Sequence, residues 1–300
     1  MSASAEWLGV IGLGRMGGNM ATRFLNAGYT VYGEEKSRED AQALVNNGLR
    51  WCDTPREVAE TVDVIFTSLP DDAALELVAS GPDGILAGLT AGKVWVDLST
   101  VSPRASRDIA ARVRARGATM LDAPVSGSVP QVQAGTLTIM VGGDERAYAQ
   151  VEPLLRELGT PTHIGDNGLG LVLKLAINIS LGVQMLAYSE GLLLAERAGI
   201  DPRLATDVMT QSAIGSPMLK ARADLVLDQP DEAWFDVSFM EKDIALALDA
   251  ARELDVSMPS AKAVERTLNV ALGFGYGRRD IAVLFTVLSR LTEDRASSPA

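Results

Sequence analysis

Three groups of residues in this 300-residue chain have types and spacings suited to chemistry. The first is Gly12-Leu13-Gly14-Arg15-Met16-Gly17, a GxGxxG run that directly follows an apolar stretch and opens a helical pattern. In that context Gly12 makes a tight turn, Gly14 lets the backbone approach a pyrophosphate, and Gly17 allows close packing of helix on strand. Free N–H groups at the helix start then face the negative charge; the alternative is a tight strand-to-helix turn with no nucleotide. The second group is Leu121 to Ser128, whose proline and small residues suit a turn. Its exposed amides and the hydroxyls of Ser126 and Ser128, with Gly127 between, can hold a carboxylate, although such loops are more often structural. The third is Lys174 with Asn178, four apart and so on one helix face. Leu171, Val172, Leu173, Leu175 and Ile177 surround the lysine, and burial there lowers an amine toward the range useful for proton transfer. Gly170 and Gly182 extend the same stripe and leave the polar pair unscreened; the alternative is a lysine that snorkels from a core helix to solvent.

About twenty residues beyond the glycine run, a dinucleotide site needs an acid for the ribose hydroxyls or a cation for a 2′-phosphate. Glu34-Glu35-Lys36-Ser37-Arg38 offers both. Glu35 favours NAD, while Lys36, Ser37 and Arg38 keep NADP open, and a solvated loop explains all five. Lys242 stands in an apolar helical pattern from which it can reach a cofactor or substrate edge, whereas Asp243 reads as a cap or ion-pair partner. His163 and Cys52 read as structural residues.

These groups need elements to position them. From Trp7 to about residue 165 short apolar strands alternate with amphipathic helices, which predicts a parallel sheet built from βαβ units. The strands are Leu8–Ile11, Thr30–Tyr32, Val62–Thr67, Lys93–Asp97 and Thr136–Val141, and the helices Asn19–Asn26, Arg38–Asn46, Pro103–Arg116 and Glu145–Leu158. After Gly165 the remaining chain reads as helices, one of them running from Gly168 to Ala198, with a frayed tail from Thr292. Two domains are expected, 1–165 and 166–300.

Composition narrows the function. The 27 Lys and Arg against 39 Asp and Glu leave a net charge of −12, which argues against nucleic acid or an anionic membrane as partner but leaves room for a small anionic ligand. One cysteine excludes an internal disulfide framework and multi-cysteine metal sites, one histidine weakens catalytic triads, and no metal is expected. The residues before Trp7 carry no basic segment, so a cytoplasmic location is expected. Leu169–Ser189 is long enough to suggest a membrane span but carries Lys174, Asn178 and Gln184, and is expected to be a buried helix with a polar stripe.

The ordered set of motifs resembles the β-hydroxyacid dehydrogenase family, whose best-known members oxidise 3-hydroxyisobutyrate or reduce tartronate semialdehyde. Its carriers are the glycine run, Leu69-Pro70, Val96-Asp97-Leu98-Ser99-Thr100, Asp122-Ala123-Pro124-Val125-Ser126-Gly127, Ala134-Gly135-Thr136-Leu137, Met140-Val141-Gly142-Gly143, Lys174 with Asn178, and Lys242-Asp243-Ile244. The resemblance implies an α/β Rossmann-type doubly wound sheet domain, followed by an all-α domain, with a long interdomain helix joining them. It further implies an active site in the cleft, a homodimer or homotetramer formed through the helical part, and NAD or NADP as cofactor. It puts the catalytic lysine on Lys174, the supporting amide on Asn178 and the substrate carboxylate on Ser126, Gly127 and Ser128. Thr100 falls by the nicotinamide and Lys242 near the cofactor's ribose or ring; Leu69 and Pro70 fall in the cofactor site. The chain departs from the family at Ser128, where a second glycine is usual, at Ile177, where an asparagine is common, and at Glu35-Lys36. The leading expectation is hydride exchange between a nicotinamide and a short β-hydroxyacid. Its rivals are an imine reductase of the same architecture, which typically lacks the lysine, and a non-catalytic interaction module.

Overall fold

The computed structural model describes residues 7–297, with side chains described to residue 293. Contacts divide the chain into a unit ending at Lys174 and a unit beginning at Leu175. Among the described residues, the first unit holds one nine-stranded sheet: β1 (Trp7–Ile11), β2 (Thr30–Glu34), β3 (Arg50–Trp51), β4 (Val64–Thr67), β5 (Val94–Asp97), β6 (Thr119–Asp122), β7 (Val125–Ser126), β8 (Leu137–Gly142) and β9 (Gly159–Gly165). Its helices are α1 (Arg15–Asn26), α2 (Gln42–Asn46), α3 (Pro55–Thr61), α4 (Asp72–Ala79), α5 (Ile85–Gly88), α6 (Pro103–Arg114), α7 (Val129–Ala134) and α8 (Glu145–Leu158).

The spatial order β3-β2-β1-β4-β5-β6 is parallel throughout, and the order reverses between β1 and β4. Loops leaving two adjacent strands in opposite directions open a crevice there, the usual ligand position in such sheets. Period-2 burial builds both faces: Val64, Phe66, Val94 and Val96 enter one apolar cluster, while Ile65 and Trp95 enter the other. The expected parallel run fails at one strand. β8 pairs antiparallel with β6 and β7, because the ten residues after β7 contain only the one-and-a-half turns of α7, too short for a parallel crossover. Parallel pairing resumes at β9, which the full-length α8 carries back alongside β8.

Other boundaries moved for local reasons. Helix α1 starts at Arg15 rather than Asn19, since the end of the glycine run itself enters its first turn. The helix expected from Arg38 contracts to Gln42–Asn46, and β3, β6 and β7 are strands of two to four residues that periodicity does not reveal.

Helix α9 (Leu169–Arg197) begins in the first unit and continues into the second. The second unit adds α10 (Pro202–Gln211), α11 (Pro217–Leu227), α12 (Val237–Glu253), α13 (Pro259–Gly273), a 3-10 turn over Ile281–Val283 and α14 (Leu284–Ser297). Asp201, Ser216 and Asp236 cap α10, α11 and α12, each accepting an N–H three residues on, with Pro202 and Pro217 opening the first two. Arg222 and Asp280 form a buried ion pair at 2.9 Å, and Asp280 also accepts the Trp234, Phe235 and Ala282 amides. The expected frayed tail is instead helical to Ser297; Ser298–Ala300 lie outside the described residues.

Helix α9 is long and apolar enough to cross a bilayer by length and composition. It is not buried all round as expected: Leu169, Leu173 and Leu194 are exposed, the last at 74%. Gly170 and Gly182 do not keep a path open to the polar pair. A Cβ on Gly170 would stand 2.3 Å from the Met140 carbonyl, and one on Gly182 would press on Val264, so both glycines serve close packing.

Candidate active site

The glycine run turns the chain at the C-terminal end of β1, on the sheet's switch point. Gly12 has φ +83, and a Cβ there would meet the Ser68 carbonyl at 2.5 Å. A Cβ on Gly17 would lie 2.0 Å from the Gly12 carbonyl, so this glycine closes helix on loop. Around Gly14 a Cβ would find nothing within 4 Å. Gly14 and Arg15 are exposed and Met16 is half-buried, at a helix start where no side chain caps the amides. An open, uncapped, Cβ-free N-terminus of this kind fits a pyrophosphate.

Glu35 reaches back across this loop. Its carboxylate accepts the Leu13 amide at 2.7 Å and the Lys36 amide at 2.9 Å. The Lys36 side chain is exposed, and the Arg38 guanidinium lies 5.8 Å over the Trp51 ring. Burial, and then the neighbouring Glu35 charge, push the Glu34 carboxyl up to about 7, against the pull of Lys36.

Two buried aspartates at the ends of adjacent strands hold the next loops. They are paired in register, Asp97 on β5 and Asp122 on β6. Asp97 Oδ1 accepts the Thr67 hydroxyl at 2.7 Å and the Ser99 hydroxyl at 2.5 Å, while Ser99 Oγ accepts the Leu69 amide at 2.8 Å. One carboxylate thereby ties the Leu69-Pro70 turn to the turn that carries Thr100. Burial pushes Asp97 up to about 6, its hydroxyl donors oppose this, and Asp122 adds to it. Asp122 accepts the Gly168 amide at 2.7 Å and the Leu171 amide at 3.1 Å, at the start of α9. Burial raises it above the ordinary carboxylate range, against those donors. Neither role was assigned from sequence, although both residues sit in motifs that were singled out.

Beyond Asp122 the chain runs through Ala123-Pro124 into β7 and the loop of Ser126, Gly127 and Ser128. Gly127 is exposed with φ +134, where a Cβ would press on Leu137 and Gln131. Ser128 opens α7, and its amide and hydroxyl both lie within 3.0 Å of Gln131 Oε1, so its hydroxyl is engaged locally. Lys174 is 8% exposed and Asn178 1%, one turn apart on α9. Within the second unit Asp243 joins two of the expected residues: it accepts the Asn178 amide at 2.6 Å and pairs with the Lys242 ammonium at 3.0 Å. That is the ion-pair role expected of Asp243.

Residues without an assigned role behave structurally. The His163 ring stacks on Tyr148 and lies 2.8 Å from the Gly143 carbonyl. Cys52 is buried, its thiol pushed up to about 11 by burial and then by Glu57. A groove of about 690 Å³ beside α6, flanked by Arg107, Arg114 and Asp144, touches none of the candidate residues.

Residues 7–167 match the family model of the NAD binding domain of 6-phosphogluconate dehydrogenase, and residues 168–288 that of the NAD-binding domain of NADP-dependent 3-hydroxyisobutyrate dehydrogenase. The chain belongs to the β-hydroxyacid dehydrogenase family. A 2-(hydroxymethyl)glutarate dehydrogenase from Eubacterium barkeri is 34% identical, over 95% of each chain. A 2-hydroxy-3-oxopropionate reductase from Escherichia coli K12 is 32% identical, over 96% of this chain and 99% of its own. The crystal structure of a 3-hydroxyisobutyrate dehydrogenase from Salmonella typhimurium superposes with a TM-score of 0.85 at 30% identity, covering 94% of this chain and 99% of its own. This member of the β-hydroxyacid dehydrogenases is an NAD(P)-dependent oxidoreductase of a hydroxyacid.

Proposed function

We propose that the substrate is a short β-hydroxyacid of the 3-hydroxyisobutyrate type and that Lys174 moves its hydroxyl proton. The carrying observation is a lysine 8% exposed on α9, on a helix whose first turn is held by the strand that runs on to Ser126 and Gly127. When bound, the nicotinamide supplies the hydride acceptor or donor. The chain's own residues do the rest. The amides and hydroxyl around Ser126 and Gly127 hold the substrate carboxylate, with Ser128 bonded to Gln131 where the loop enters α7. The Lys174 amine takes the hydroxyl proton on oxidation and returns it on reduction, and Asn178, fixed by Asp243, orients the reacting oxygen. In this reading Thr100, on the turn held by Asp97, serves the nicotinamide, and Lys242 is assigned to the cofactor. The amides opening α1 hold the pyrophosphate.

NAD is the preferred cofactor in this reading. The Glu35 carboxylate, held on the Leu13 and Lys36 amides, suits ribose hydroxyls and repels a 2′-phosphate. The assembly is a homodimer or homotetramer joined through the helical unit, where Leu194, Ile200, Leu204 and Val208 expose apolar side chains.

The test is turnover with NAD and NADP against 3-hydroxyisobutyrate, 3-hydroxypropionate, serine, glycerate and threonate, repeated with Lys174→Ala. On the best substrate the variant loses about 10² to 10⁴ in kcat with cofactor affinity retained. Parental turnover in Lys174→Ala removes the proton-transfer assignment. Reduction of a cyclic imine without activity on any hydroxyacid moves the reading to the imine reductase.

A further inference from the structure

We propose that Asp122 is the positioning residue of the active site: its carboxylate ties the strand leading to the substrate loop to the first turn of the helix bearing Lys174, and its charge sets the pH at which that lysine works. The proposal rests on Lys174 as the proton carrier.

Helix α9 draws acceptors for its first amides from the preceding loop and from the sheet. The Leu169 amide bonds back to the Asp166 carbonyl, and the Val172 amide to that of Gly168. The Gly168 and Leu171 amides instead go to Oδ1 and Oδ2 of a carboxylate more than forty positions earlier in the chain. Asn167 adds its side-chain amide to the Met120 carbonyl at 2.8 Å, with Asp122 Oδ1 at 3.5 Å. Glycines clear the space for this junction. A Cβ on Gly142 of β8 would stand 2.7 Å from both carboxylate oxygens, and one on Gly170 of α9 would stand 2.9 Å from Oδ2. Three elements therefore converge on one side chain, and that side chain is almost fully buried.

Position follows from chain geometry. Asp122 stands four residues before Ser126, and the anchored Leu171 amide three residues before Lys174, on the same helix face. Helical side chains lean toward the N-terminus, so Lys174 leans back toward the anchored turn. The carboxylate also offsets the positive end of the α9 dipole. Other charged residues around it are Asp97 on β5, Asp166 ahead of α9 and Arg107 of α6 against Gly168. β8 contributes Gly142 at the contact, which carries no charge.

The experiment compares the parent, Asp122→Asn and Lys174→Ala on the best hydroxyacid from the panel. Asp122→Asn lowers kcat about tenfold to a hundredfold, the scale of a small misplacement of a reacting group, while NADH affinity by fluorescence titration is retained. Loss of the negative charge disfavours the ammonium, so the rising limb of kcat for oxidation moves to lower pH. A structural role alone would lower stability without moving that limb. An unmoved limb, or one moved to higher pH, overturns the proposal. If Lys174→Ala keeps parental turnover, the functional reading fails and takes this proposal with it. A dead Lys174→Ala beside a parental limb in Asp122→Asn sinks only the positioning role. Should Asp122→Asn not fold, the parent carries the test: the Gly168 and Leu171 amide resonances titrate with Asp122, and kcat falls across the same midpoint. A kcat that stays flat through that titration overturns the proposal.

Discussion

Replacing Asp97 with asparagine gives the sharpest physical test of the strand-end carboxylates. Asp97 is completely buried; one oxygen takes the Thr67 and Ser99 hydroxyls, and the other has no partner among the described residues. Its carboxyl rises from 3.8 to about 6, chiefly through desolvation. A folded-state value above the unfolded one means that the group's contribution to stability is complete below about 3.8 and is lost as pH rises through about 6. At about 1.36 kcal/mol per pH unit, the loss amounts to roughly 3 kcal/mol by neutral pH. Asparagine does not titrate. Its buried NH2, placed where the unpartnered oxygen stood, costs about 1–3 kcal/mol at every pH, which offsets the curve but does not tilt it. The stability of Asp97→Asn minus that of the parent therefore climbs by about 2–3 kcal/mol between about pH 4 and about pH 8. Removing this charge also eases ionisation of Asp122, which acts in the same direction. Urea unfolding followed by tryptophan emission reads chiefly this unit, since three of the four tryptophans, Trp7, Trp51 and Trp95, belong to it and Trp95 donates its indole N–H to Thr67. Titrations not coupled to Asp97 cancel in the difference. A difference that stays flat to within about 0.5 kcal/mol across that range would refute the reasoning.

Two further outcomes separate roles that one motif or one surface combines. Gly14→Ala meets no atom within 4 Å and leaves the melting temperature of the cofactor-free protein unchanged, yet its methyl group stands where a pyrophosphate must approach, so NADH affinity by fluorescence titration falls at least about tenfold. Gly17→Ala drives a methyl group to 2.0 Å from the Gly12 carbonyl and lowers both stability and affinity; equal effects from the two substitutions would undo the distinction. Leu204 and Val208 are 58% and 61% exposed, one turn apart on α10. If the helical unit joins copies there, Leu204→Glu with Val208→Glu lowers the mass seen by light scattering, whereas a parent that already runs as a monomer removes the expected assembly.

Legibility in the sequence followed the range of the interactions. The glycine run, the long helix and the Lys174–Asn178 face were readable because each is set by residues within two turns or one strand of one another. The antiparallel β8 was misread as part of the parallel series. Its own residues are apolar and β-prone like those of its parallel neighbours; the brevity of the link through α7 decides its direction. Gly170 was read as making room for a ligand when it makes room for a carboxylate 48 positions away, and no local pattern distinguishes the two. The roles of Asp122 and Asp97 are not legible within their motifs for the same reason: their partners are a helix start and a turn brought to them only by the sheet.

The same two aspartates show why this arrangement is not the one stability alone would choose. Both carboxyls are raised by burial and stand paired in register on adjacent strands, so ionising either costs desolvation. A cap from within α9's own first turn would satisfy its amides at less cost. A local cap, however, fixes a helix only to its own preceding loop. A carboxylate from the sheet fixes it to the strand that also delivers Ser126 and Gly127, and Asp97 likewise fixes the Leu69 turn to the turn of Thr100. Each buried carboxyl sets the distance between two pieces of chain that, in the proposed function, meet one ligand, and hydrogen bonds to a charged acceptor are a strong short constraint for that task. The stability given up at the strand ends is therefore expected to return as precision at Lys174, and Asp122→Asn should show the exchange in a lower kcat even where its folded state is no weaker than the parent's.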